Sequence, residues 1–212
     1  MKASIKKIVL LGHSKKFVKL VRTLFDNAEL VTIPWRGCFH NIHSIKIQHA
    51  DILVICGYDF ASNHYEFKYY IDVNVTWPFQ VISEFTKKST KIIYVDTDNG
   101  SDAFTFSRYY YAKNLLARKI SEKFNNCNVL RIPTVLNSEG KADIHGGLLT
   151  KLIFNIFIKF GFVKTISLEV LQEMFFNVLK SKGQSSLNIL TPRLLNIRRT
   201  LFIDRLLRFV IG

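Results

Sequence analysis

Short apolar runs that stop abruptly at glycine or proline constrain this chain's fold more than any other feature. Ile8-Val9-Leu10-Leu11 stops at Gly12, Leu30-Val31-Thr32-Ile33 at Pro34, Ile52-Leu53-Val54-Ile55-Cys56 at Gly57, and Val129-Leu130-Arg131-Ile132 at Pro133. Lys91-Ile92-Ile93-Tyr94-Val95 is a fifth apolar run, followed by Asp96 rather than by glycine or proline. Runs this short, β-branched and without polar alternation read as strands buried on both faces of a parallel sheet. The segments between them carry helical spacing. After Ser14, a candidate N-cap, apolar residues recur at Phe17, Val18, Leu20, Val21, Leu24 and Phe25. A long helical stretch runs from about Glu66 to Thr86 with a bend expected at Pro78, and another from Ser107 to Phe124. Strand alternating with helix over short connections predicts an α/β fold, a doubly wound parallel sheet with its ligand site at the carboxyl ends of the strands.

Beyond Pro133 the pattern loosens. Helices are expected from Leu148 to Phe160 and from Ser167, a candidate cap, to Leu179, followed by a short strand at Leu187-Asn188-Ile189-Leu190. The final segment, Arg193 to Ile211, reads as a helix carrying Arg193, Arg198, Arg199, Arg205 and Arg208 among apolar residues. This divides the chain into a domain at 1–190 with a reduced C-terminal substrate region and a basic amphipathic helix at 191–212. That helix suits an anionic membrane surface, and suits equally a dock on its own domain or on a second copy in a homodimer. No apolar stretch approaches 18 residues, so no membrane span is expected. The opening run is too short and too early broken for a signal peptide. With three cysteines lacking Cys-x-x-Cys spacing, reduced thiols in a cytoplasmic protein are the simplest reading. The net charge of +14 calls for an anionic partner. Its cations are scattered along the chain without a zinc-finger or RNA-binding signature, so nucleic acid is not expected.

Tyr109 and Lys113 form a Tyr-x-x-x-Lys pair, four residues apart and therefore on one helical face. An ammonium beside a phenol should stabilise the phenolate and lower its pKa, fitting Tyr109 for proton transfer. Thr97 sits just past the strand that precedes this helix, and Asn74 lies in the long helix before that strand. Leu130-Arg131-Ile132-Pro133 follows at the distance of the next strand. In this order of features, over roughly Ile5 to Leu190, the chain resembles the extended short-chain dehydrogenase/reductases, the nucleotide-sugar epimerases, dehydratases and reductases. The resemblance implies a Rossmann-like sheet and an NAD(P)-dependent oxidoreductase or epimerase acting on a nucleotide-linked sugar, with surface polysaccharide assembly the natural pathway. It implies Tyr109 as general acid/base and Lys113 as holder of the nicotinamide ribose. Thr97 would hydrogen-bond the reacting oxygen, and Asn74 would order the helix and a water on the proton path.

The same resemblance marks Gly12, Ser14, Lys15, Arg36, Gly57, Lys113 and Pro133 as cofactor-binding. Where the family has three glycines after the first strand, this chain has Gly12, Lys15 and Val18. Either Lys15 and Lys16 hold the diphosphate by charge at the helix N-terminus, or cofactor binding has been lost. Arg36, in place of an acid after the second strand, suits a 2′-phosphate and favours NADP over NAD. The alternative to an enzyme is a non-catalytic Rossmann-fold binding or regulatory protein with a degenerate cofactor loop, associated or not with the inner membrane face. Cys38, His40 and His43 lack a fourth ligand, so no metal is expected. His145-Gly146-Gly147 reads as a plain loop, and Tyr65, Phe67, Tyr69 and Tyr70 as helix packing.

Overall fold

The computed structural model describes residues 5–12, 14–36, 49–97, 108–137, 139–142, 148–160 and 163–180. The segment 181–212 with its expected strand and basic helix, the Cys38/His40/His43 loop and His145-Gly146-Gly147 all lie outside the described residues. Five strands, β1 (Lys7–Leu11), β2 (Glu29–Ile33), β3 (Ile52–Ile55), β4 (Lys91–Thr97) and β5 (Cys127–Ile132), pair in the order β2-β1-β3-β4-β5, all in parallel. This is the Rossmann-like α/β fold, and each strand lies where an apolar run predicted it.

Helices cover both faces, and the two-residue period of the strands sorts side chains between them. One face brings Val9, Leu11, Leu53, Ile55, Ile92, Tyr94 and Val129 against the helical run 67–85 and α4 (Arg108–Lys123). The other brings Ile8, Leu10, Ile52, Val54, Ile93, Val95 and Leu130 against α1 (Lys15–Leu24) and α6 (Leu168–Lys180). Ser14 stands at the N-cap of α1 without a side-chain cap bond, whereas the Ser167 hydroxyl accepts from Val170 N at 3.4 Å.

The helical run from 67 is α2 (Phe67–Ile71), a π-helical turn (Asp72–Thr76) and α3 (Trp77–Phe85). Pro78 explains the turn. It has no N–H for the carbonyl of Asn74, and its ring crowds that carbonyl, so the backbone widens there instead of continuing as α. After β5, the short strands β6 (Thr134–Val135) and β7 (Thr165–Ile166) pair in parallel, with α5 (Leu148–Lys159) between them in sequence.

Candidate functional site

In the order β2-β1-β3, the helix after β1 lies on one face and the helix after β3 on the other. The crevice outside the carboxyl ends of β1 and β3 is therefore the topological switch point, where this architecture takes ligands. Gly12 ends β1 and Gly57 follows β3. Gly12 has φ of 110°, and a Cβ there would lie 2.4 Å from the N and Cα of Gly57. The two strand ends touch backbone to backbone. Trp35, just past β2, packs against Gly57, so that a Cβ there would meet the indole at 2.2 Å. The indole is buried, and its Nε1 has no hydrogen-bond partner among the described residues.

Further along the sheet, the Tyr109 hydroxyl meets the Thr97 hydroxyl at 2.6 Å. Lys113 goes elsewhere. Its Nζ donates to the Val95 carbonyl at 2.8 Å and lies 6.0 Å from the centre of the Tyr109 ring. The ammonium is buried and faces the electrostatic pull of Asp96, itself 3.5 Å from the Arg131 guanidinium and accepting from Thr97 N at 2.8 Å. Burial pulls the pKa of Lys113 down and pushes that of Asp96 up.

The phenol is affected in the direction opposite to the sequence expectation. Burial pushes the Tyr109 pKa up to about 12, against the Thr97 hydrogen bond, with Asp96 adding to the rise. The activating ammonium is spent on Val95 and Asp96, and desolvation prevails. A group whose pKa is higher folded than unfolded stabilises the fold below its unfolded value and loses that contribution as pH rises through the folded one. For Tyr109 the loss should fall between about pH 10 and 12. In ultraviolet titration, the wild type minus Tyr109→Phe difference should show a phenol ionising near 12. A midpoint below 10 would restore the activated phenol.

Above Tyr109 lies an aromatic cover. Tyr58 meets its ring edge-on at 4.6 Å and Phe60 stacks on it at 5.7 Å. Tyr58 and Tyr70 join their hydroxyls, and Asn74 clamps the segment from beneath. The Asn74 Oδ1 accepts from Asp59 N at 2.9 Å, while Nδ2 donates to Ser62 Oγ at 2.6 Å and Tyr70 O at 3.2 Å. The Arg36 guanidinium is paired with the buried Asp59 carboxylate at 2.6 Å, and Asp59 also accepts from Ala61 N at 3.1 Å. Lys15 points outward with Lys19 and Arg22 along α1, lining a cavity of about 450 Å³, and Lys16 donates to the Val135 carbonyl at 3.2 Å. Pro133 is a buried residue between β5 and β6. Of the expected aromatic packing group, Tyr70 is in the core and Tyr65, Phe67 and Tyr69 are exposed.

The structure thus brings Tyr109 and Thr97 together, stacks Gly12 on Gly57, and commits Asn74, Lys113 and Arg36 to partners within the chain. Sequence reasoning missed Trp35, Tyr58, Phe60, Asp59 and Asp96 as parts of the site. Only Asp96 carries a local signal, a carboxylate inside an otherwise apolar strand.

The strand order and the helices on both faces define a Rossmann-like α/β protein. No protein-family model and no curated protein sequence matches the chain. Solved structures do. ADP-L-glycero-D-manno-heptose-6-epimerase of Helicobacter pylori is 12% identical with a TM-score of 0.60, over 85% of this chain and 75% of that one. dTDP-4-dehydrorhamnose reductase of Bacillus anthracis, in complex with NADP, is 10% identical with a TM-score of 0.55, over 86% and 73%. dTDP-glucose 4,6-dehydratase of the same organism, in complex with NAD, is 10% identical with a TM-score of 0.52, over 85% and 73%. At such identities the likeness is one of fold.

The residues present do not suit a nicotinamide dinucleotide. The pyrophosphate needs backbone approach at the second glycine position, and Lys15 stands there. The Trp35 indole packs against Gly57 beside the switch point, Arg36 is bound to Asp59, and Lys113 donates to the Val95 carbonyl.

Proposed function

We propose that this chain has kept the fold of the nucleotide-sugar reductases, epimerases and dehydratases but left their dinucleotide chemistry. It serves as a non-catalytic binding or regulatory module, with handling of nucleotide-linked sugars for surface polysaccharide in the cytoplasm as its setting. The observation that carries this reading is the packing of the Trp35 indole against Gly57, beside the strand ends that a dinucleotide would approach. Trp35 and Trp77 are the two tryptophans of the chain, so fluorescence reports directly on that crevice. Titration with NADPH and with NADH should give no saturable change up to millimolar concentration. Saturation below about 100 μM, a binding free energy beyond roughly −5 kcal/mol, would overturn the reading.

A second reading, an NAD(P)-dependent enzyme on a nucleotide-linked sugar, is favoured by the 2.6 Å Tyr109–Thr97 contact. It requires Trp35 and Phe60 to swing aside, with Arg36 released from Asp59 to favour NADP. Under this reading Trp35→Ala should unmask dinucleotide binding, and Tyr109→Phe should abolish turnover. Under the first, neither variant gains or loses any dinucleotide-dependent activity.

A further inference from the structure

We propose that the outer face of α5 docks on an anionic lipid surface. Leu152, Ile156 and Phe160 recur every four residues, so they form one stripe along the helix. They are 57%, 44% and 67% exposed. Three large apolar side chains in a row on a helix surface are an interaction site rather than scattered exceptions. The opposite side of α5 has its own core, where Phe154 packs with Val163, Phe157 and Ile158, so the stripe is not a mispacked interior.

Charge selects the occupant. Helix α5 contains no aspartate or glutamate, and both of its lysines, Lys151 and Lys159, are exposed. A second copy of the chain would bring another +14 against this +14, and the helix's lysines against lysines. An anionic bilayer instead offers headgroups to the lysines and acyl chains to the stripe. The twelve residues of α5 are about 18 Å long, and no helix among the described residues is long and apolar enough to cross a membrane. The helix therefore lies in the headgroup plane. The proposal does not depend on what the strand-end crevice binds.

The test is co-sedimentation of the full chain with vesicles of phosphatidylcholine alone or mixed with phosphatidylglycerol. Wild type should partition onto the mixed vesicles at least tenfold better, and the triple variant Leu152→Glu, Ile156→Glu, Phe160→Glu should lose at least tenfold of that partitioning with its circular dichroism unchanged. A second variant, Phe160→Trp, keeps the surface apolar, and brominated acyl chains in mixed vesicles should quench its added fluorescence. Equal binding by wild type and the triple variant would overturn the proposal, since the attachment would then reside elsewhere in the chain. Absence of wild-type binding, absence of Phe160→Trp quenching, or a dimer of the free protein that the triple variant dissolves would overturn it too.

Discussion

Gly12→Ala is expected to lower the melting temperature by roughly 6 to 12 °C, a loss of about 3 kcal/mol for a chain of this size. Two costs combine. At φ of 110° an L side chain is strained, and its Cβ would stand 2.4 Å from backbone atoms of Gly57, which cannot rotate away as a side chain can. Gly57→Ala meets a different obstacle. Its Cβ would collide with the Trp35 indole at 2.2 Å, and Gly12 Cα is 3.0 Å away. Trp35→Ala should therefore relieve much of the damage of Gly57→Ala and none of the damage of Gly12→Ala. Urea unfolding of the single and double variants checks this. Additive losses for Trp35 and Gly57 would show that the indole does not rest on that glycine.

Lys113→Met should destabilise the chain by about 3 kcal/mol or more at neutral pH. The substitution keeps the length of the side chain but removes the ammonium that donates to Val95 O and faces Asp96. Asp96 is then left buried with the Arg131 guanidinium and the Thr97 N–H. The pH dependence identifies the cause. The Asp96 carboxyl already has a pKa raised by burial and opposed first by Lys113, so the variant raises it further. A carboxyl with a raised folded pKa stabilises the fold in acid and loses that contribution as pH rises through the folded value. The deficit of the variant should therefore shrink on acidification, and Asp96→Asn should rescue part of it at neutral pH. A deficit unchanged by pH would mean that Lys113 acts through packing alone.

The sheet was legible because each strand is built on an apolar run, most of them stopped by glycine or proline, as at Leu11–Gly12 and Ile55–Gly57. An irregularity at Pro78 was readable, since a missing N–H acts locally, and it takes the form of the π-helical turn Asp72–Thr76 just before it. The pair β6–β7 was not readable, because two residues carry no periodicity. At the site, the family resemblance set Tyr109 and Thr97 in one place, and their hydroxyls lie 2.6 Å apart. What spacing does not contain is direction. Lys113 shares the face of Tyr109 yet finds Val95 and Asp96 first, and the phenol's pKa consequently moves up instead of down. The cover over the crevice was invisible for a related reason. Trp35, Tyr58 and Phe60 arrive from the ends of two different strands, and their convergence is a property of the packed molecule.

The Asn74 clamp also sets a clock. Because its carboxamide ties Asp59, Ser62 and Tyr70 together, the segment bearing Tyr58 and Phe60 moves only when several bonds break at once. Any visitor to Tyr109 must wait for that collective rupture, so its capture rate would level off at high concentration, at a ceiling belonging to the protein alone.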